Sequence, residues 1–167
     1  MSIPYRGRTS ASTYFVTAGV FCKMNLLQSE RMATLFCEKL YEYRANQEFL
    51  VHAFVVMPNH VHLLITVREG LTLERAMQLI KGGFSREAGK VLTLSHLLSQ
   101  KSFVDRRVRD WNEFDGFRKY IHHNPVNAGL TECVEGFPYS SANPQFKVDA
   151  LPQRLKPGSQ TASNLHR

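Results

Sequence analysis

Cysteine is scarce in this chain, with three among 167 residues. Cys22, Cys37 and Cys133 form no CxxC pair and no even-numbered set. That speaks against a disulfide framework and suits thiols in a reducing cytoplasm. Long hydrophobic runs are missing too: none reaches the roughly 20 residues of a membrane span. The first residues, Met1-Ser2-Ile3-Pro4-Tyr5-Arg6, carry no apolar h-region, so no secretory signal is expected. There is no GxxxxGK[ST] loop for a nucleotide triphosphate, no internal repeat and no low-complexity core segment. Acidic residues are in deficit, 14 against 21 Lys and Arg, for a net charge of +7. A basic excess on a chain this small favours a polyanionic partner.

What is present is enough for one domain. Hydrophobic residues make up 43% of the chain, which supports a sizeable core. Thr13 to Phe21 is rich in β-branched and aromatic residues and reads as a strand. Gln28 to Tyr43 places Met32, Leu35, Phe36, Leu40 and Tyr43 at helical spacing. Phe49 to Met57 and Val61 to Val67 read as two strands joined by a tight turn at Pro58-Asn59. Leu73, Ala76, Met77, Ile80 and Phe84 mark a second helix. Ser102 to Arg109 is a basic fourth strand. Asp110, with Glu113 three residues on, opens a third helix that is expected to stop near Pro125. The order β-α-β-β-α-β-α predicts an α+β fold: a ferredoxin-like split βαβ sandwich with helices on one sheet face and an extra C-terminal helix. The other sheet face is expected to be left available. Residues 1–149 form the domain, and 150–167 are expected to be a disordered basic tail.

Two places carry candidate chemistry. In the third strand His60 and His62 share a face, because strand side chains alternate with period two. Paired imidazoles on one face are half of a metal site, and a further ligand has to come from elsewhere. In the third helix Phe114, Phe117 and Ile121 make the packed stripe. Tyr120 and Asn124, one turn apart, lie beside it and look toward the sheet. His122 falls nearly opposite Tyr120, and His123 points away from the stripe. Tyr5, Tyr14, Tyr41, Tyr43 and Tyr139 read as packing or surface residues. His52, His96 and His166 have no partner visible in the sequence. Lys81, Arg86, Arg106, Arg107 and Arg109 are candidates to follow a phosphate backbone.

The segment Met57-Pro58-Asn59-His60-Val61-His62-Leu63-Leu64 resembles the HUH motif of single-tyrosine transposases. Tyr120-Ile121-His122-His123-Asn124-Pro125-Val126-Asn127-Ala128-Gly129-Leu130 resembles the tyrosine block of the REP-associated tyrosine transposase branch, and Phe137-Pro138-Tyr139-Ser140-Ser141 is similar to its ending. Together they span most of residues 5 to 142. The chain departs from the branch where Leu98, Ser99 and Gln100 replace a Trp-Gln pair, and where Arg106 stands for a histidine. The resemblance implies a metal-dependent enzyme that nicks and rejoins single-stranded or hairpin DNA. It implies Tyr120 as nucleophile, His60 and His62 as ligands of a divalent ion (Mg or Mn), and Asn124 as a third ligand. It also implies a 5′-phosphotyrosine link, a free 3′-hydroxyl, no need for ATP, and a monomer or homodimer. A cytoplasmic, nucleoid-associated protein without a membrane partner is expected.

Two other readings keep the same residues. A split βαβ sheet can serve as a non-catalytic nucleic-acid-binding module, although the RNP-type aromatic pattern is missing here. A metal-dependent hydrolase would use water in place of Tyr120.

Overall fold

The computed structural model describes residues 11–20, 25–92 and 103–157. Tyr5, Cys22, His96, His166 and the Leu98-Ser99-Gln100 departure lie outside them. Four strands, β1 (Ser12–Gly19), β2 (Phe49–Val56), β3 (His60–Val67) and β4 (Phe103–Arg107), form an antiparallel sheet in the order β2-β3-β1-β4. Three helices, α1 (Glu30–Ala45), α2 (Leu73–Leu92) and α3 (Trp111–Asn127), complete the α+β fold that the element order predicts.

Alternation along β3 divides the core. Val61, Leu63, Ile65 and Val67 pack with Phe36 and Leu40 of α1 and with Ile80 and Phe84 of α2. Leu64 faces the other way and packs with Ala53 and Val55 of β2 and Phe114 and Ile121 of α3. The face expected to be available is therefore partly covered. The α3 stripe is apolar, and burying it against Leu64 and Val55 removes it from water. What stays accessible is the part beside His60 and His62.

One irregularity sets the alternation in β2. The register skips from Val51↔Ile65 to Ala53↔Leu64, leaving His52 as the extra residue of a β-bulge. His52 thereby turns toward α3, edge-on to Phe114, and it does have partners. Its Nδ1 lies 3.1 Å from the Asp149 carbonyl, and its Nε2 lies 2.7 Å from the Thr66 hydroxyl. Thr66 in turn bonds Thr13 at 2.8 Å, and Arg154 donates to Thr13 at 3.0 Å.

Arg154 and Asp149 belong to a C-terminal strap; of the tail expected over 150–167, residues 158–167 lie outside the described residues. The strap runs along the outer edge of β2, where Val56 N–H donates to the Tyr139 carbonyl and Ser141 N–H to the Phe54 carbonyl, each at 2.9 Å. Asp149 receives two bonds from Arg44, at 2.8 and 2.9 Å, and one from Val51 N–H at 2.8 Å. Leu155 ends in the α3 cluster at 2% exposure. Leu155 thus anchors residues 150–157, most of which are exposed, because one apolar side chain among polar neighbours finds a buried seat. Leu155→Ala is expected to cost about 2–5 kcal/mol, read as a lower urea midpoint with an unchanged slope.

The end of α3 also differs from expectation: the helix continues through Pro125 to Asn127. Proline removes only one donor, and the last turn is closed by other bonds. Gly129 at φ 71° donates to Val126, and Leu130 donates to Pro125 across the same turn, a Schellman closure. Pro125 itself is buried. Asn124 therefore sits on regular helix rather than on a distorted end.

Candidate active site

The His pair is positioned by strand pairing. His60 lies opposite Gly19 and His62 opposite Thr17. The two Nε2 atoms face each other at 3.1 Å. Each Nδ1 is already engaged: that of His60 with Asn59 Oδ1 at 2.6 Å, and that of His62 with Thr17 Oγ1 at 2.8 Å. With the Nδ1 atoms donating, both Nε2 lone pairs point into the same space, an arrangement that a cation reconciles. Donors on adjacent corners of an octahedral ion, each at about 2.1 Å, lie about 3.0 Å apart. The observed spacing fits. Among the described residues no group of three or more His, Cys, Asp or Glu could hold a metal ion. From the described residues, any further ligand would be a neutral oxygen, with water or substrate completing the shell.

His62 is only 4% exposed. Burial, reinforced by the nearby His60 charge, pushes its pKa down to about 4. Burial lowers that of His60 as well. Both rings are accordingly neutral near pH 7, the form that binds metal.

Tyr120 comes from the opposite side. Helix α3 starts at Asp110, whose side chain accepts from Glu113 N–H at 2.9 Å. Phe114 and Ile121 then dock the helix, so that Tyr120 meets the sheet beside them. Its ring stands edge-on to His62 at 5.3 Å between centroids and edge-on to Phe15 at 5.9 Å. Tyr120 is 49% exposed, so its oxygen is open to a ligand. Asn124, one turn on, is half-buried.

Beside Tyr120 lies a cleft of about 440 Å³ lined by Phe15, Thr17, His62, Arg106, Glu113, Gly116, Phe117 and Tyr120. Four side chains there make one continuous stack. The Arg106 guanidinium lies over Phe117 at 5.4 Å, Phe117 stacks on Phe15 at 4.5 Å, and Phe15 stacks on His62 at 5.5 Å. Phe15, Thr17, Asn59 and Phe117 were not singled out by sequence as site residues. For Thr17 the signal exists only in the β1–β3 register.

The five basic candidates separate. Arg106 joins the cleft. Arg109 is held by Glu113 through two side-chain bonds at 2.5 and 3.1 Å. Arg107 pairs across from Tyr14, whose ring packs on the α1/α2 side. Arg86 is exposed on α2, behind the sheet from Tyr120. Lys81 does not offer its charge to the surface: it is 6% exposed, and its buried Nζ has no hydrogen-bond partner among the described residues. His122 points away from the cleft, as expected, and bonds Ser141 at 3.0 Å.

The buried histidines give a pH dependence. Burial depresses His52, and it pushes His62 and His122 down to about 4, helped by positive neighbours. All three are neutral when folded, but they take up protons near pH 6.5 once unfolded. The unfolded state therefore binds more protons between about pH 6.5 and 4, and stability falls as pH drops through that window. Urea unfolding in chelator is expected to show a loss on the order of a few kcal/mol from pH 7 to 4 and little change between pH 7.5 and about 8. A flat profile down to pH 4.5 would contradict the burial of these rings.

Comparison with known proteins places this chain among relatives. Residues 10–124 match the family model described as Transposase IS200 like. A Haemophilus influenzae chain bearing the REP-associated tyrosine transposase designation is 24% identical over 170 residues, covering 92% of each chain. The REP-associated tyrosine transposase of Escherichia coli K12 is 25% identical over 135 residues, 77% of this chain and 79% of the other. The solved structure of a REP-associated tyrosine transposase bound to a REP hairpin superposes with a TM-score of 0.70 at 22% identity. It covers 95% of this chain and 96% of that one.

Proposed function

This chain belongs to the IS200-like transposase family, and from that premise we propose that it nicks and rejoins single-stranded DNA at hairpin-forming repeats through a covalent tyrosine intermediate. The observation that carries the proposal is the meeting of Tyr120 with His62, 5.3 Å between ring centroids, at the mouth of a two-histidine seat. Support for a hairpin substrate comes from the relative that was solved with one.

His60 and His62 would hold a divalent ion, with Asn124 as third ligand. Two imidazoles and a neutral amide oxygen leave corners for hard phosphate oxygens, which favours Mg or Mn. A bound ion of this kind supplies Lewis-acid polarisation of the scissile phosphate. Thr17 and Asn59 hold the two imidazoles in the tautomer that turns Nε2 inward. The Tyr120 oxygen attacks phosphorus in line. A tyrosine O–P bond forms, the P–O3′ bond breaks, the tyrosine loses its proton, and the 3′-oxygen leaves as a hydroxyl. Reversal of the step by a 3′-hydroxyl rejoins the strand without ATP, because the phosphotyrosine bond keeps the energy. Both halves of the proposed site lie on one chain, which supports chemistry by a single copy.

The test is direct. Labelled single-stranded hairpin DNA is incubated with the protein and Mg or Mn and run on a denaturing gel. A protease-sensitive protein–DNA adduct is expected. Cleavage without an adduct would assign the chemistry to water, and binding without cleavage would leave a nucleic-acid-binding module.

A further inference from the structure

We propose that the cleft beside Tyr120 is a seat for one unstacked nucleobase flanking the scissile phosphate, with Phe117 as its platform. The inference rests on the proposed function and adds a subsite to it. Three observations carry it.

The cleft is lined by Tyr120 and His62, so it lies within reach of a nucleotide next to a phosphate held at the tyrosine. Its volume of about 440 Å³ lies at the small-ligand end of the range for binding clefts, enough for a base and its sugar and too little for a duplex.

The walls have the right chemistry. Phe117 stacks on Phe15, and the Arg106 guanidinium lies over the Phe117 ring at 5.4 Å from its centroid. Phe15 is fixed in β1 between Phe117 and His62, so the platform is rigid from below. Arg106 is an exposed side chain on the edge strand β4, free to lift and let a base slide between guanidinium and ring. A base there gains stacking on one face and a cation on the other, and its phosphate gains the same positive charge. Such a seat is tolerant of base identity, since every base has a π-face.

The third observation is Gly116. It lines the cleft, and a Cβ built on it meets no atom within 4 Å. The helix would be better served there by almost any other residue. A side chain at this position would project into the space assigned to the base, so the glycine leaves the seat open.

The experiment uses the full chain and a hairpin oligonucleotide carrying one abasic position at a time around the cleavage site. Binding is measured by fluorescence anisotropy, and adduct formation at saturating DNA is measured in parallel. One abasic position is expected to weaken binding about tenfold. Gly116→Leu, which fills the cleft while strengthening the helix, is expected to weaken intact DNA by the same factor and to make that abasic position cost nothing more. Phe117→Ala should behave alike, and Phe117→Trp should restore binding. Equal losses at every abasic position, or an undiminished abasic penalty in Gly116→Leu, would overturn the seat. If adduct still forms with wild-type protein in that case, only the seat fails. If the coupling appears and no adduct forms, the seat stands and the proposed chemistry fails.

Discussion

Tyr120→Phe is expected to abolish the covalent protein–DNA adduct and to lower strand cleavage by at least about a thousandfold. The substitution deletes one oxygen. The ring survives, and with it the edge-on contacts to His62 and Phe15. Half of the side chain is exposed, so no buried hydroxyl is left without a partner and stability should move by less than about 0.5 kcal/mol. Hairpin binding should change little, since most of the affinity for a charged strand comes from its phosphates. The variant thus separates chemistry from binding, and the readout is the gel-shifted adduct beside an anisotropy titration. Cleavage persisting above about 1% of wild type would exclude Tyr120 as the nucleophile.

His60→Ala is the second large effect. His60 is half-buried at the start of β3, and among the described residues its side chain bonds only its neighbours Asn59 and His62. His62, by contrast, is buried in the sheet and tied to Thr17, so its loss would mix metal binding with folding. Removing His60 leaves one imidazole, which does not select or hold an ion. Calorimetric Mn affinity should fall by at least about a hundredfold, and cleavage should fall with it. Wild-type protein should gain thermal stability in excess Mn, because an ion that binds only the folded state shifts the equilibrium. The variant should gain none. A variant that keeps the Mn-dependent stabilisation would place the ion elsewhere.

The parts of the site legible in sequence are those set by local periodicity. His60 and His62 share a face because a strand repeats every two residues, and Tyr120 stands beside the Phe114–Ile121 stripe because a helix repeats every 3.6. What escaped was fixed by non-local partners. Thr17 meets His62 only through the β1–β3 register. The His52 bulge is a single inserted residue, and a run of apolar β2 side chains hides where the alternation slips. Lys81 reads as polar helix surface until its neighbours bury it. Leu155 stands alone among polar residues, so nothing nearby announces that it is core. Pro125 pointed to a helix end because its cost is local, whereas the bonds that offset that cost come from Gly129 and Leu130 further along.

The strap that carries Leu155 bears on the order in which the two halves of the candidate site are completed. A chain is synthesised from its N-terminus, and its early segments begin to fold first. The histidines of β3 are translated before Tyr120, which lies 58 residues beyond His62. Even then, α3 lacks the last apolar residue that wedges beside it and the Arg154 bond that closes over Thr13. A product truncated before Leu155 therefore keeps the His60–His62 pair but lacks a contact that helps seat α3 and Tyr120. On the proposed function, nicking would depend on a residue far beyond the tyrosine in the chain.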